Sequence, residues 1–222
     1  MAETKLVIFD LDGTLLDTVE DLGNAVNHAL TQLGYPTHPK DAYYQMVGRG
    51  IYNLFRRALP PEEALDDNVR RMAELFLPYY GAHNCDCTRP YEGIPQLLDV
   101  LSGRRISLAV ASNKYQAGTE HLIRHFFPAI PFAAILGQRE GFPIKPDPEI
   151  VGLAMREAAV TDRSAVAYVG DSGVDMQTGR NAGVTTIGVT WGFRSREELA
   201  EGSPWRIVDT LPELEKALLE SR

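Results

Sequence analysis

The sequence predicts an α/β protein: a parallel β-sheet with helices on both faces and a helical unit inserted near its start. Three observations predict this. Short apolar runs recur along the chain, helical patterns fill the intervals between them, and one long interval after the first run is helical throughout. Apolar runs this short read as strands buried on both faces, and such strands alternating with helices build parallel sheets.

The first run, Leu6–Phe9, ends in Asp10. The helical interval follows, from about Thr18 to Thr88. Leu22, Val26, Ala29, Leu30 and Leu33 fall on one helical face, and Gly34 stops that helix. Ile51, Leu54, Phe55, Ala58 and Leu59 form a second face before Pro60 and Pro61. Leu65, Val69, Met72, Phe76 and Tyr80 form a third. The expected hinges are Leu15–Thr18 and Arg89–Gly93. Beyond them, strands are expected at Ser107–Ala111, Ala133–Leu136, Ala165–Val169 and Thr185–Val189. Helices are expected near Ile94–Leu101, Gln116–Phe127, Glu149–Ala158, Val174–Asn181 and Leu211–Leu219. The resulting division is a core of residues 1–16 and 89–222 around a helical unit of residues 17–88.

Composition narrows the function classes. At 222 residues and 44% hydrophobic, the chain can bury a full core. Its net charge of −8 lacks the basic footprint of a nucleic-acid binder and disfavours an anionic membrane surface. It does not exclude an anionic substrate, because a site is built from local charges and often a metal ion. Cys85 and Cys87 are too close for an unstrained disulfide, and with His83 alone nearby they do not make a zinc site. Met1 to Lys5 does not read as a signal peptide, and no apolar stretch approaches the length of a membrane span. The expectation is a soluble cytoplasmic protein, a monomer or homodimer.

The chemistry begins at Asp10-Leu11-Asp12-Gly13-Thr14, directly after the first strand. Ligand sites of open α/β sheets lie beyond the carboxyl ends of strands. Residues two apart in extended backbone point the same way, so Asp10 and Asp12 can face one site, and Gly13 permits a sharp departure. Two carboxylates this close repel unless a cation or a proton relieves them, and Mg2+ takes oxygen ligands of this kind. A solvated Asp-Asp-Gly turn is the plain alternative for this motif taken alone.

The stretch Asp10 to Thr18 resembles the first signature of the haloacid dehalogenase-like hydrolase superfamily. Ala111-Ser112-Asn113 resembles its Ser/Thr motif, Lys145-Pro146-Asp147-Pro148 its lysine motif, and Gly170 to Asp175 its acidic motif, all in the expected order. The resemblance covers nearly the whole chain. It implies a Rossmann-like core with an inserted α-helical cap that closes over a small phosphorylated metabolite. It further implies Asp10 as nucleophile, forming an aspartyl-phosphate, and Asp12 as general acid and then base. Ser112 and Asn113 would bind the phosphate. Lys145 would neutralise both Asp10 and the phosphoryl group. Mg2+ would be held by Asp10, the backbone carbonyl of Asp12, and Asp171, with Asp175 supporting it directly or through water. Asp12 matters for reaction type, since family members that dehalogenate lack an acid there.

Within the cap, Val47-Gly48-Arg49-Gly50 is similar to the cap loop of phosphoglycolate phosphatases, as are Leu54 to Leu59 and Val189 to Phe193. Arg49 could thus reach a second anionic group on the substrate. The loop lacks the Schiff-base lysine of related phosphonate-cleaving enzymes, although Lys40 lies nearby. The expected activity is Mg2+-dependent hydrolysis of phosphoglycolate or a similar small phosphomonoester. The alternatives are a β-phosphoglucomutase-like phosphomutase, a pyrophosphatase, or a non-catalytic phosphometabolite-binding protein. His121 and His125, four apart, read as an ordinary helix-surface pair. Trp191-Gly192-Phe193 reads equally as packing or as a border of the site.

Overall fold

The structure, a computed structural model, describes residues 3–220; residues 1–2 and 221–222, the outer ends of the expected core, lie outside them. In chain order the elements are β1 (Leu6–Phe9), β2 (Leu16–Asp17), α1 (Val19–Gln32), α2 (Lys40–Met46), α3 (Ile51–Ala58), α4 (Asp66–His83), β3 (Arg89–Pro90) and α5 (Ile94–Gly103). They continue with β4 (Ser107–Tyr115), α6 (Gln116–Phe126), β5 (Phe132–Gln138), α7 (Glu149–Glu157), β6 (Val166–Gly170), α8 (Gly173–Ala182), β7 (Thr185–Val189), α9 (Arg196–Glu201), β8 (Arg206–Val208) and α10 (Leu211–Leu219). No helix among the described residues is long and apolar enough to cross a membrane.

Six strands form one parallel sheet in the order β5-β4-β1-β6-β7-β8. β1 is central, with Leu6 opposite Ser107 on one side and Val166 on the other. Its four residues alternate between faces, as a strand buried on both sides requires. Val7 and Phe9 pack with Leu97, Leu98, Leu122 and Leu214 from α5, α6 and α10. Leu6 and Ile8 pack with Ile150, Val151 and Ala154 from α7.

Helices α1 to α4 form a helical layer around a second apolar cluster, which Phe193 joins from the loop after β7. Leu22, Val26, Phe55, Met72 and Phe76 meet there, and the Phe55 and Phe76 rings lie edge-on at 5.1 Å. Phe76 is fully buried, so truncating it to alanine should cost ~3–5 kcal/mol. The three expected helical faces are those buried, except that Leu33 is half-buried at the end of α1 and Leu65 stands exposed as the residue before α4. An antiparallel pair, β2 with β3, joins the cap to the core where hinges were expected. Buried Asp21 of α1 fastens the same junction, accepting bonds from Thr88 N (2.8 Å) and Thr88 Oγ1 (2.7 Å) and from Cys87 N.

The structure adds what the sequence pattern did not show: α2, α9, the edge strand β8 and the β2–β3 ribbon. Each is only two to seven residues long, too short for a periodic signal. β4 runs on to Tyr115, so Ser112, Asn113 and Lys114 lie within it.

Candidate active site

The carboxyl ends of β1, β4 and β6 converge on one point. Asp10 leaves β1 with its amide bonded to Val169 O (2.9 Å), which keeps the chain in register with β6 for one residue past the strand. Its Oδ1 accepts from Leu11 N at 2.7 Å and lies 2.9 Å from Lys145 Nζ. The loop then turns at Gly13, whose φ is +85°. A Cβ at Gly13 would sit 2.3 Å from Asp171 Oδ2, so this position requires glycine for both conformation and space.

Asp171, after β6, is held by two loops. Thr14 Oγ1 donates to its Oδ1 (3.2 Å), and Phe193 N donates to its Oδ2 (2.7 Å). The Trp191-Gly192-Phe193 segment therefore borders the site as well as packing. A Cβ on Gly192 would meet Asp171 Cβ at 2.3 Å, and Phe193 itself joins the apolar core of the cap.

Asp175 begins α8 as the third residue of a capping box. Its Oδ2 accepts from Ser172 Oγ (2.5 Å) and Ser172 N (3.1 Å). Its Oδ1 lies 2.7 Å from Lys145 Nζ. Lys145 thus sits between Asp10 and Asp175 and also donates to Ala111 O at 3.0 Å. Burial opposes its charge, but Asp10 and Asp175 outweigh burial and hold the ammonium well above the usual lysine range.

Asp10, Asp171 and Asp175 are all buried, with carboxylate oxygens within 4.8 Å of one another. Among the described residues Lys145 is the ammonium in contact with this trio, touching Asp10 and Asp175 but not Asp171, so with all three carboxylates ionised the cluster would carry an excess of two negative charges. Burial first, then Asp175, pushes the Asp10 carboxyl up to about 7, against the opposing pull of Lys145. Burial, then Asp175 and Asp10, likewise pushes Asp171 well above the usual carboxylate range. A hard divalent cation with oxygen ligands fits this donor set.

Asp12 stands apart from that trio. Both of its oxygens accept from Lys114 Nζ at 3.0 Å, and Thr18 Oγ1 donates to Oδ1 at 2.7 Å. Ser112 lines the cavity over Asp10 and Asp12, with its Oγ accepting from Lys114 N. The Asn113 side chain is fully engaged. Its Oδ1 accepts from Lys145 N (2.8 Å), and its Nδ2 donates to Lys145 O (3.2 Å) and to Gly48 O (3.1 Å) in the cap loop.

Residues of α1 and α3 and the loop between α2 and α3 wall this site on one side. The cavity over Asp10 holds about 30 Å3, with Leu22, Val47, Ile51 and Leu54 as its cap-side wall. That is room for a water or two. Arg49 is not brought to it. The residue is exposed and lines a larger outer cleft of about 840 Å3, together with Arg57, Arg180 and Arg194. Arg194 crosses from the loop after β7 to donate to Tyr44 O and, at 2.6 Å, to Val47 O.

Lys114, Thr14, Thr18 and Arg194 escaped the sequence reading. For Lys114 a signal existed: it stands two residues after Ser112, so in an extended strand both side chains point to one side.

Comparison with known proteins agrees with this geometry. The family model for haloacid dehalogenase-like hydrolases matches residues 7–189. The chain is 36% identical over 220 residues to a phosphoglycolate phosphatase of Agrobacterium fabrum, covering 98% of this chain and 93% of that one. It is 34% identical to a phosphoglycolate phosphatase of Pseudomonas putida, covering 93% of this chain and 77% of that one. A solved structure of a candidate phosphoglycolate phosphatase from Lactobacillus delbrueckii subsp. bulgaricus superposes with a TM-score of 0.91 at 33% identity, covering 99% of this chain and 100% of that one. With the fold, the carboxylate trio and these relatives in agreement, the chain belongs to the haloacid dehalogenase-like hydrolase family, as an enzyme of its phosphatase type.

Proposed function

We propose that this chain is a Mg2+-dependent phosphomonoester hydrolase that works through an aspartyl-phosphate on Asp10, with phosphoglycolate or a similarly small phosphorylated metabolite as substrate. The observation that carries this is the setting of Asp10, buried at the end of the central strand between Lys145 and the Asp171–Asp175 pair. The substrate rests on similarity to phosphoglycolate phosphatases along nearly the full chain.

Asp10, Asp171 and the carbonyl of Asp12 would hold the cation, with Asp175 behind them. A divalent cation there supplies charge neutralisation for the nucleophile and for the phosphoryl oxygens. The protein groups perform the rest. Asp10 attacks phosphorus, and the bond from phosphorus to the leaving oxygen breaks as Asp12 gives that oxygen its proton. Asp12 then takes a proton from water, which attacks phosphorus and releases Asp10. Lys145 stabilises the phosphoryl charge, while Ser112 Oγ and the amides of Leu11, Asp12 and Asn113 donate to its oxygens.

Residues 17–88 act as a lid on the core of 1–16 and 89–222. A cavity of about 30 Å3 is too small for a phosphoryl group and its ester, so the cap lifts for entry and closes to exclude water. The free thiols of Cys85 and Cys87 suit a reducing cytoplasm.

Phosphate release from phosphoglycolate, sugar phosphates, nucleotides, pyrophosphate and β-glucose 1-phosphate, with Mg2+ and with chelator, tests the proposal. Mg2+-dependent preference for phosphoglycolate is expected. Preference for another substrate ends the substrate assignment, and isomerised product from β-glucose 1-phosphate would mark a mutase. No turnover of any substrate ends the hydrolase reading.

A further inference from the structure

We propose that Lys114 is the specificity-determining cation that receives the second anionic group of the substrate, a carboxylate in the case of phosphoglycolate. The inference rests on the substrate reading above and assigns a residue to it.

Among the described residues the cavity over Asp10 has one ammonium in its wall, that of Lys114. Lys145 lies behind Asp10 with acceptors for its three N–H groups in Asp10, Asp175 and Ala111 O. Lys114 is engaged differently. Its side chain is 2% exposed, and among the described residues its ammonium bonds a single carboxylate, Asp12. Its other close neighbour is the face of the Tyr80 ring, with the centroid at 4.9 Å. One ion pair with an acid that must act on substrate can be shared or exchanged without stranding a charge, because an arriving carboxylate replaces the partner that Asp12 supplied.

The cap side of the wall offers an anionic tail no side-chain donor. Leu22, Val47, Ile51 and Leu54 are apolar, and a carboxylate buried against them alone would carry a large desolvation cost. Arg49 opens on the outer cleft instead.

The test compares kcat/KM for phosphoglycolate and for ethyl phosphate, which has a neutral tail of similar length, in the wild type and in Lys114→Met and Lys114→Arg. Loss of the Asp12 contact slows both substrates, so the ratio isolates the tail. The ratio should fall about 10–100-fold in Lys114→Met, mainly through KM for phosphoglycolate, and should be partly kept in Lys114→Arg. Equal losses on both substrates overturn the inference and leave Lys114 as a positioning residue for Asp12. If Lys114→Met does not fold, Lys114→Gln supplies the same comparison. A ratio that collapses in Arg49→Ala but survives in the Lys114 variants reverses the assignment. A wild type that does not prefer phosphoglycolate to ethyl phosphate ends the substrate reading, and the inference with it, before any variant is made.

Discussion

The Asp175 carboxylate lies 2.7 Å from the Lys145 ammonium, and the two side chains are 0% and 1% exposed. The lysine that faces the nucleophile is therefore held from behind by a second acid, which the Ser172 capping box fixes in turn. Removing Asp175 leaves Lys145 with Asp10 as its carboxylate partner and takes the acceptor from the Ser172 cap. Asp175→Ala should lower stability by about 1–3 kcal/mol, read by urea unfolding with chelator present. A loss under about 1 kcal/mol would show that Asp175 does not anchor Lys145.

Lys145→Met removes the one ammonium in contact with Asp10. Phosphoryl transfer depends on positioning and charge stabilisation, so kcat should fall by about 10²–10³-fold or more. Steady-state phosphate release checks this, with circular dichroism to confirm folding. A kcat within about threefold of wild type would remove Lys145 from the reaction.

Removal of the metal should make stability depend on pH in a definite direction. Burial, then Asp175, pushes the folded Asp10 carboxyl up to about 7, against 3.8 for a free aspartate. Between those values the native state binds more protons than the unfolded state, so stability falls as pH rises through that window. Asp171, pushed up in the same direction, adds to the slope. Chelator-treated protein should therefore melt lower at pH 7.5 than at pH 5. Added Mg2+ should raise Tm more at the higher pH, where it does not compete with protons. Thermal shift measurements at the two pH values check both statements, and an equal Mg2+ effect at each would contradict the shared site.

Much of this fold was legible because its strands are buried on both faces and alternate with helices, which makes runs such as Leu6–Phe9 stand out. β8 was not legible: an edge strand of three residues, Arg206–Val208, has a single buried position and no period. At the site, Asp10, Ser112 and Asp171, placed by the ends of β1, β4 and β6, meet Lys145 from the loop before α7 and Asp175 from α8. Lys114 was missed because a lysine after a strand motif reads as solvated; its spacing of two from Ser112 became a signal only once β4 was seen to run on to Tyr115. Arg49 shows the opposite limit. A loop residue between Gly48 and Gly50 has no periodicity to orient it, and the structure turns it to the outer cleft.

Arg194 joins the core to the cap through two backbone carbonyls, those of Tyr44 and Val47. Arg194→Ala should loosen that contact with little effect on the core. Amide hydrogen exchange should speed up over residues 43–50 and stay unchanged in the central strands. Unchanged exchange over residues 43–50 would mean that the Asn113–Gly48 contact and apolar packing hold the cap without Arg194.

Trapping the intermediate tests the central claim most directly. The enzyme is mixed with phosphoglycolate and Mg2+, quenched in acid within the first turnover, and reduced with borohydride, which converts an aspartyl-phosphate to homoserine. Peptide mass spectrometry should then find homoserine at position 10, dependent on substrate. Its absence at position 10 during active turnover, or its appearance at another aspartate, would contradict the account.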